Sequence, residues 1–442
     1  MKEVEKLLKL GEDLKIIKTE EFNNEKLIYV ESRKKKVRCP KCNKFTKSIH
    51  GHLKPIKIKD LKIEEHHSKL IITKRRFKCY NCNKIFTEQM NINDKNKSIS
   101  EKLRIKVLQD LLDYNLSLKW IGLENNIDEN TVRHILEDAM KNHPDYVRLL
   151  PRVISIDEFK ADTNEGKYAC IINDPIHKKA LDILPNRKKE YLIQYFTHCE
   201  NRHSVEVVIS DMYEPYLLVT QTMFPKAIYV ADPFHYITYI MDALDKIRIR
   251  LQKEYGPKSK EYKLLKNKKN VSLIRNYSIE IDWWTYTKRY KNGHMVEVLK
   301  YDLKEQILKI NIDLQKGYEL KELFLDIVNH ATIDDCKKQF LCWIDLCRES
   351  EIEEFISASN TIENWLEQIC NSFIDERYSN GYTEGTNNLI KVIKRVGFGY
   401  RNFKFFRMRL LYILNNKDKK ISNRVKNKNK KVKNATSPNN KR

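Results

Sequence analysis

Three aspartates stand where apolar runs end. Asp157 closes VISI, Asp211 closes VEVVIS and Asp232 closes AIYVA. In α/β sheets, ligand sites gather at the carboxyl ends of strands. If the first of these strands lies beside the fourth in parallel, Asp157 and Asp211 come side by side. Carboxylates so placed repel, unless a divalent cation neutralises them. Hard oxygen donors suit Mg²⁺ or Mn²⁺. A single aspartate is well explained as a cap on the next turn; the set of three is not. A further acid, Glu384, opens the helical stretch SNGYTEGTNNLIKVIKR (379–395). On helical spacing Glu384 shares a face with Asn388, Lys391 and Arg395, while Leu389, Ile390, Ile393 and Val396 form the apolar side. The plain alternative is an acid favoured by the helix dipole. The Gly-containing turn before it and the phosphate-holding residues on its face argue for chemistry.

Four thiols form a second constellation. Cys39-Pro-Lys-Cys42 and Cys79-Tyr-Asn-Cys82 are two matched knuckles. Each presents two thiolates from a tight turn, and two knuckles complete a tetrahedral site for one structural Zn²⁺ with no open position. Arg38, Lys41, Lys78 and Lys84 around them favour the thiolate form. His50, His52, His66 and His67 lie between the pairs and read as surface residues. The other six cysteines have no regular framework, which fits a reducing cytosol and a cytoplasmic protein. A third feature, SLKWIGLENNIDENTVRHILEDA (117–139), reads as a helix-turn-helix, with Ser117 and Asp128 as caps. Its second helix would enter the major groove, with Asn130, Arg133 and His134 as DNA-reading candidates.

The elements that must position these groups follow from period and punctuation. Residues 1–35 read as a short helix and a strand. From Ser98 the pattern is helical. After a Pro-containing linker come strands at 153–159, 167–174 and 178–184, a helix, a strand at 205–212, a helix, and a strand at 227–234. The order β-β-β-α-β-α-β implies a mixed α/β sheet with right-handed crossovers. Residues 237–370 are mostly helical in period, with one extended patch at Trp283-Trp284, and the last core helix starts near Thr383. The Lys- and Asn-rich tail from Asn415 to Arg442 is too poor in apolar residues to fold alone. The 442 residues carry a formal net charge of +24, which favours a polyanionic partner, nucleic acid first. No long apolar run, signal peptide or lipidation motif points to a membrane.

The knuckles, the helix-turn-helix, VISIDEF, VISDMYEPY, ADPFHY and TEGTNNLIKVIKR, in this order, resemble DDE transposases of bacterial insertion sequences, the ISL3 family. The resemblance implies a ribonuclease-H-like core split by a helical insertion. It implies an acid triad of Asp157, Asp211 and Glu384 holding two Mg²⁺ (or Mn²⁺) ions, with Asp232 and His235 as accessory residues. It also implies double-stranded DNA as partner, both element ends and target, and a homodimer or larger assembly on DNA. The expected domains are 1–92 with the four-cysteine zinc module, 93–146 with the helix-turn-helix, 150–236 as the first part of the core, 237–370 as insertion, 371–414 as the core's last helix, and 415–442 as basic tail. Two other functions fit parts of the pattern: a nuclease of the same core that does not join strands, and a DNA-binding regulator without chemistry. A regulator has no need for three converging acids.

Overall fold

The computed structural model describes residues 13–22, 24–90, 98–143, 146–291 and 294–416, and of 289–291, 294 and 295 the backbone alone. It divides into two compact units, one of residues 1–143 with 390–442 and one of residues 144–389.

In the first unit, β1 (Leu14–Phe22), β2 (Glu25–Ser32), β3 (Val37–Arg38), β4 (Phe45–Thr46), β5 (Ile49–His52), β6 (Ile56–Ile63), β7 (His66–Ile72), β8 (Arg75–Lys78) and β9 (Ile85–Thr87) precede three helices. Strands β1-β2-β7-β6 form one sheet, with β2 and β7 parallel. Its core is Leu14, Ile16, Ile28, Val30, Ile58, Leu70 and Ile72. Residues 14–22 therefore correct the reading of 1–35 as helix then strand: Leu14 and Ile16 alternate inward and pair with β2 as a strand. Residues 1–12, which that reading also covers, lie outside the described residues. The short strands β3–β5, β8 and β9 carry the cysteine knuckles.

Helices α1 (Glu101–Leu111), α2 (Leu118–Glu124) and α3 (Glu129–Met140) follow. Ser117 Oγ accepts from Trp120 N at 3.1 Å, and Asp128 Oδ1 from Thr131 N at 2.9 Å. Both sequence-expected caps are thus made. The turn between α2 and α3 is tight enough that a Cβ on Gly122 would lie 2.7 Å from the Ile127 carbonyl oxygen.

The second unit holds a mixed five-stranded sheet. β10 (Val153–Thr163), β11 (Gly166–Asp174) and β12 (Lys179–Leu184) form an antiparallel meander. Next come α4 (Lys189–Thr197), β13 (Val207–Ser210), α5 (Glu214–Met223) and β14 (Ile228–Ala231). The spatial order is β12-β11-β10-β13-β14, with β10, β13 and β14 parallel. Leu192, Phe196, Tyr216, Val219 and Phe224 of the crossover segments pack with Ile154, Ile156 and Val208 of the sheet.

From α6 (Pro233–Tyr255) the chain is helical through α7 (Lys260–Lys266) and α8 (Lys268–Arg275). A hairpin, β15 (Tyr286–Lys291) and β16 (His294–Leu299), begins just after the Trp pair. Helices α9 (Lys300–Leu308), α10 (Ile312–His330), α11 (Cys336–Glu349), α12 (Glu353–Asn364) and α13 (Leu366–Cys370) complete the insertion. Ile240, Leu244, Leu314, Phe324, Phe340, Trp343 and Phe355 form its core. Among the described residues, no helix is long and apolar enough to cross a membrane.

The chain ends in α14 (Gly381–Val396) and α15 (Phe403–Leu414). Here the structure corrects the assignment of 371–414 to the catalytic core. Phe405 is buried in the apolar cluster of α1–α3, Arg133 lies over its ring at 4.7 Å, and the Tyr412 hydroxyl donates to the Leu108 carbonyl. Helix α15 is a fourth helix of the helix-turn-helix cluster, and it needs α1–α3 to cover its apolar surface.

Candidate active site

The register of β10 against β13 pairs Val153 with Val207, Ile154 with Val208 and Ser155 with Ile209. Continued by two residues, it sets Asp157 level with Asp211. Pairing of β13 with β14 ends at Ser210 and Ala231, so Asp232 follows at the same sheet end. Asp232 then stands at the N-cap position of α6 without a side-chain cap bond, and the first turn of α6 carries His235. One ligand atom from each of Asp211, Asp232 and His235 lies within 4.8 Å of the others. His235 Nε2 is 2.7 Å from Asp211 Oδ1 and 4.0 Å from Asp232 Oδ2. Asp157 and Glu384 stand outside this tight group. Asp157 is electrostatically coupled to Asp211 and His235, and Glu384, exposed at the start of α14, is coupled to Asp232.

Asp157 and Asp232 are strongly perturbed. Burial, and then the Asp211 charge, pushes Asp157 up to about 7. Burial pushes Asp232 up to about 6, against the Asn380 backbone N–H that favours its charge. Burial opposes a charged His235, but Asp211 and Asp232 outweigh it and raise the imidazole. Such a site favours protons when no other cation is present.

A polar stripe docks the start of α14. Asn380 N donates to Asp232 Oδ1 at 2.9 Å. The Thr383 hydroxyl lies 2.8 Å from Ser155 Oγ and accepts from Asn173 Nδ2 at 2.9 Å, bridging a cross-strand pair of β10 and β11. Asn387 Nδ2 donates to Asp157 Oδ2 at 2.7 Å. Positions 380, 383 and 387 are spaced for one helix face, and all three residues are buried. Sequence reasoning missed them. The available signal was two polar residues at helical spacing where an apolar stripe should begin.

A family model described as a transposase, of the DDE ISL3 type, matches residues 154–410, and it takes in every one of these acids. The chain belongs to the ISL3 family of DDE transposases. A second model, for the zinc-finger of transposases IS204, IS1001, IS1096 and IS1165, matches residues 35–82. The transposase for insertion sequence element IS1001 of Bordetella parapertussis is 21% identical over 393 residues, covering 87% of this chain and 90% of the relative. A Lactococcus lactis protein named as an ATP-dependent protease is 28% identical over 126 residues, but only 38% of its length is covered. No stretch of this chain reads G-x-x-x-x-G-K-[S/T]. The protein is thus an enzyme, a DNA transposase. Its class implies a divalent metal at the acids and zinc at the ribbon.

Both sites of this transposase fit their metals. Cys39 and Cys82 Sγ are 3.5 Å apart, as are Cys42 and Cys79. Four thiolates at bonding distance around one Zn²⁺ would be about 3.8 Å apart. The two knuckles repeat each other: Cys39 N donates to Lys44 O and Cys79 N to Lys84 O, both at 2.9 Å, with Asn43 and Asn83 at positive φ. The Lys44 backbone N–H leads in pulling the Cys42 thiol down to about 6. At the acids, Asn387 Oδ1 and both side-chain polar atoms of Asn380 are buried without a hydrogen bond of good geometry. Buried polar capacity of this kind is what a ligand would satisfy.

The DNA-reading candidates are unequal. Asn130 and His134 are exposed on α3, His134 beside Glu137. Arg133 is committed to Glu129 at 2.6 Å and to the Phe405 ring. Asn388, Lys391 and Arg395 are exposed along α14.

Proposed function

We propose that Asp157, Asp211 and Glu384 together hold two divalent ions, Mg²⁺ or Mn²⁺, for cleavage of DNA at the ends of an insertion sequence and for strand transfer. The observation that carries this reading is the parallel β10–β13 register, with the helix bearing Glu384 hydrogen-bonded to Asp157 two residues beyond that pairing. Bound there, the two ions would supply an activated oxygen nucleophile and neutralise charge at the scissile phosphate. Asp157 stands level with Asp211 by strand register, and Asn387 orients its carboxylate. Asp211 is flanked by His235 and receives the Tyr229 hydroxyl on its backbone carbonyl. Asp232 acts less as a ligand than as the anchor of α14, through Asn380. Phosphoryl transfer depends on this positioning more than on covalent catalysis.

The sheet order supports a ribonuclease-H-like core, with residues 150–236 as its first part, 237–370 as the helical insertion, and the α14 segment before Phe403 as its return. Cys39, Cys42, Cys79 and Cys82 hold one structural Zn²⁺. The zinc module (1–92) and helix-turn-helix (93–146) recognise the terminal inverted repeats, through Asn130, His134 and, on α14, Asn388, Lys391 and Arg395. Joining two ends calls for at least a homodimer, working in the cytoplasm on nucleoid DNA.

The test is cleavage of a duplex carrying the element's end, followed by joining to a target. Glu384→Gln keeps size and helix propensity, and we expect end binding near wild type with cleavage in Mg²⁺ abolished. Glu376→Gln, an exposed acid upstream, should cleave normally. Normal cleavage by Glu384→Gln would refute the triad.

A further inference from the structure

Beside the acids is a cavity of about 210 Å³ whose walls include Glu158, Arg187, Asp211, Tyr213, His235 and Tyr239. Arg187 comes from the loop between β12 and α4. It is held from three elements: Glu158 of β10 takes Nη1, and the rings of Tyr168 and Tyr213 lie 4.9 Å and 5.4 Å from its guanidinium carbon. A guanidinium has five N–H donors, so the bond to Glu158 leaves capacity for another acceptor. The side chain remains 35% exposed. His235, the other basic group named on this wall, is already beside Asp211. Tyr239 lies one helical turn beyond His235 on α6, and is 46% exposed.

We propose that this cavity is a subsite for one nucleotide of the DNA strand next to the scissile phosphate. Arg187 is the group that takes the backbone phosphate, and the Tyr239 ring is the surface for the attached base. The proposal rests on the active-site reading above. A fork of donors locked by Glu158 and two aromatic rings is preorganised, and Arg geometry matches phosphate oxygens bidentately. An exposed aromatic ring gives a base of any sequence a face to stack on. Stacking on the Tyr239 ring calls for a base turned out of its pair, so the strand there would be unpaired.

The test uses full-length protein and an end duplex carrying a single neutral methylphosphonate, moved one phosphate at a time around the cleavage site. Binding is measured in Ca²⁺ and cleavage in Mg²⁺. At one position the methylphosphonate should weaken wild-type binding about tenfold or more, the scale of a charge-assisted hydrogen bond. Arg187→Gln should show the same loss on unmodified DNA and be indifferent to the methylphosphonate at that position. A 2-aminopurine at the attached nucleotide should be quenched by wild type and by Tyr239→Phe, and released in Tyr239→Ala. Glu158→Gln, which loosens the tether but keeps the cation, should retain the coupling, and it serves if Arg187→Gln lowers the melting temperature. Additive losses at every position would overturn the proposal and leave Arg187 as a loop tether. If wild type cleaves, Glu384→Gln is inactive and the coupling is absent, only the subsite fails. If Glu384→Gln cleaves, the active-site reading fails first.

Discussion

Asn387 donates its side-chain N–H to Asp157 Oδ2, while its own Oδ1 accepts no hydrogen bond of good geometry, so the side chain fixes how the Asp157 carboxylate is turned. Replacing it with Ala should leave end binding intact and lower the cleavage rate about 10- to 100-fold, as expected for a displaced catalytic group; equal losses in both would assign it to folding. The raised acids also set a pH dependence. Unfolded aspartates titrate near 4, whereas Asp157 and Asp232 hold protons up to about 7 and about 6 when folded. Between these limits the folded state binds more protons, so stability falls as pH rises. His235, also raised, adds a contribution that is full below its unfolded value and lost as pH climbs through the folded one. All three groups act in one direction. Melting of metal-free protein should drop from about pH 5 to about pH 8, while the stabilisation by added Mg²⁺ grows, because a divalent cation needs the deprotonated acids. Asp157→Asn should flatten the metal-free slope, and a metal-free melting temperature that rises with pH would contradict this. Asp157 and Asp211 were legible as the ends of apolar runs and Glu384 as an acid in a helix's first turn, although β10 runs on past Asp157 to Thr163. Asn387, Thr383 and Arg187 were not. Asn387 and Thr383 have partners more than 200 residues away in sequence, and Arg187 stands in a loop with no period to read.

Among the elements, strong local signals carried through. Both helix-turn-helix caps form where Ser117 and Asp128 announce them, and the core strands follow the order of their apolar runs. Gly122 allows the α2–α3 turn to close, and Gly122→Ala should cost about 1–3 kcal/mol by overpacking, visible as a lower melting temperature and weaker end binding with the cysteine module intact. Cys79→Ser leaves three thiolates, and the ribbon should then lose its metal and unfold, since binding and folding are coupled in such modules. One equivalent of zinc retained per chain would count against that. What stayed illegible was partnership. Nothing local in Phe403–Leu414 says that its apolar face belongs with α1–α3, and β1 declares itself only through β2.

For the whole molecule, the net charge of +24 sets the long-range attraction to DNA. Each phosphate neutralised contributes about 0.9 to the slope of log affinity against log salt. Replacing Lys391 and Arg395 with Ala should therefore lower that slope by about 2 while leaving the choice between end and random sequences unchanged. A loss of sequence preference instead would move base reading onto α14. Residues 417–442, most of the expected tail, lie outside the described residues.

The hydrogen bond from Asn380 N to Asp232 Oδ1 joins residues 148 apart in the chain. The whole helical insertion thus leaves and re-enters the core through one doorway. A detour whose ends are pinned together can lengthen at little cost, about 0.6 kcal/mol for each doubling of a flexible loop. The catalytic fold is in this respect a chassis. Insertions of other sizes could be grafted between these two residues, each bringing different DNA or partner contacts, while the spacing of the acids stays the same.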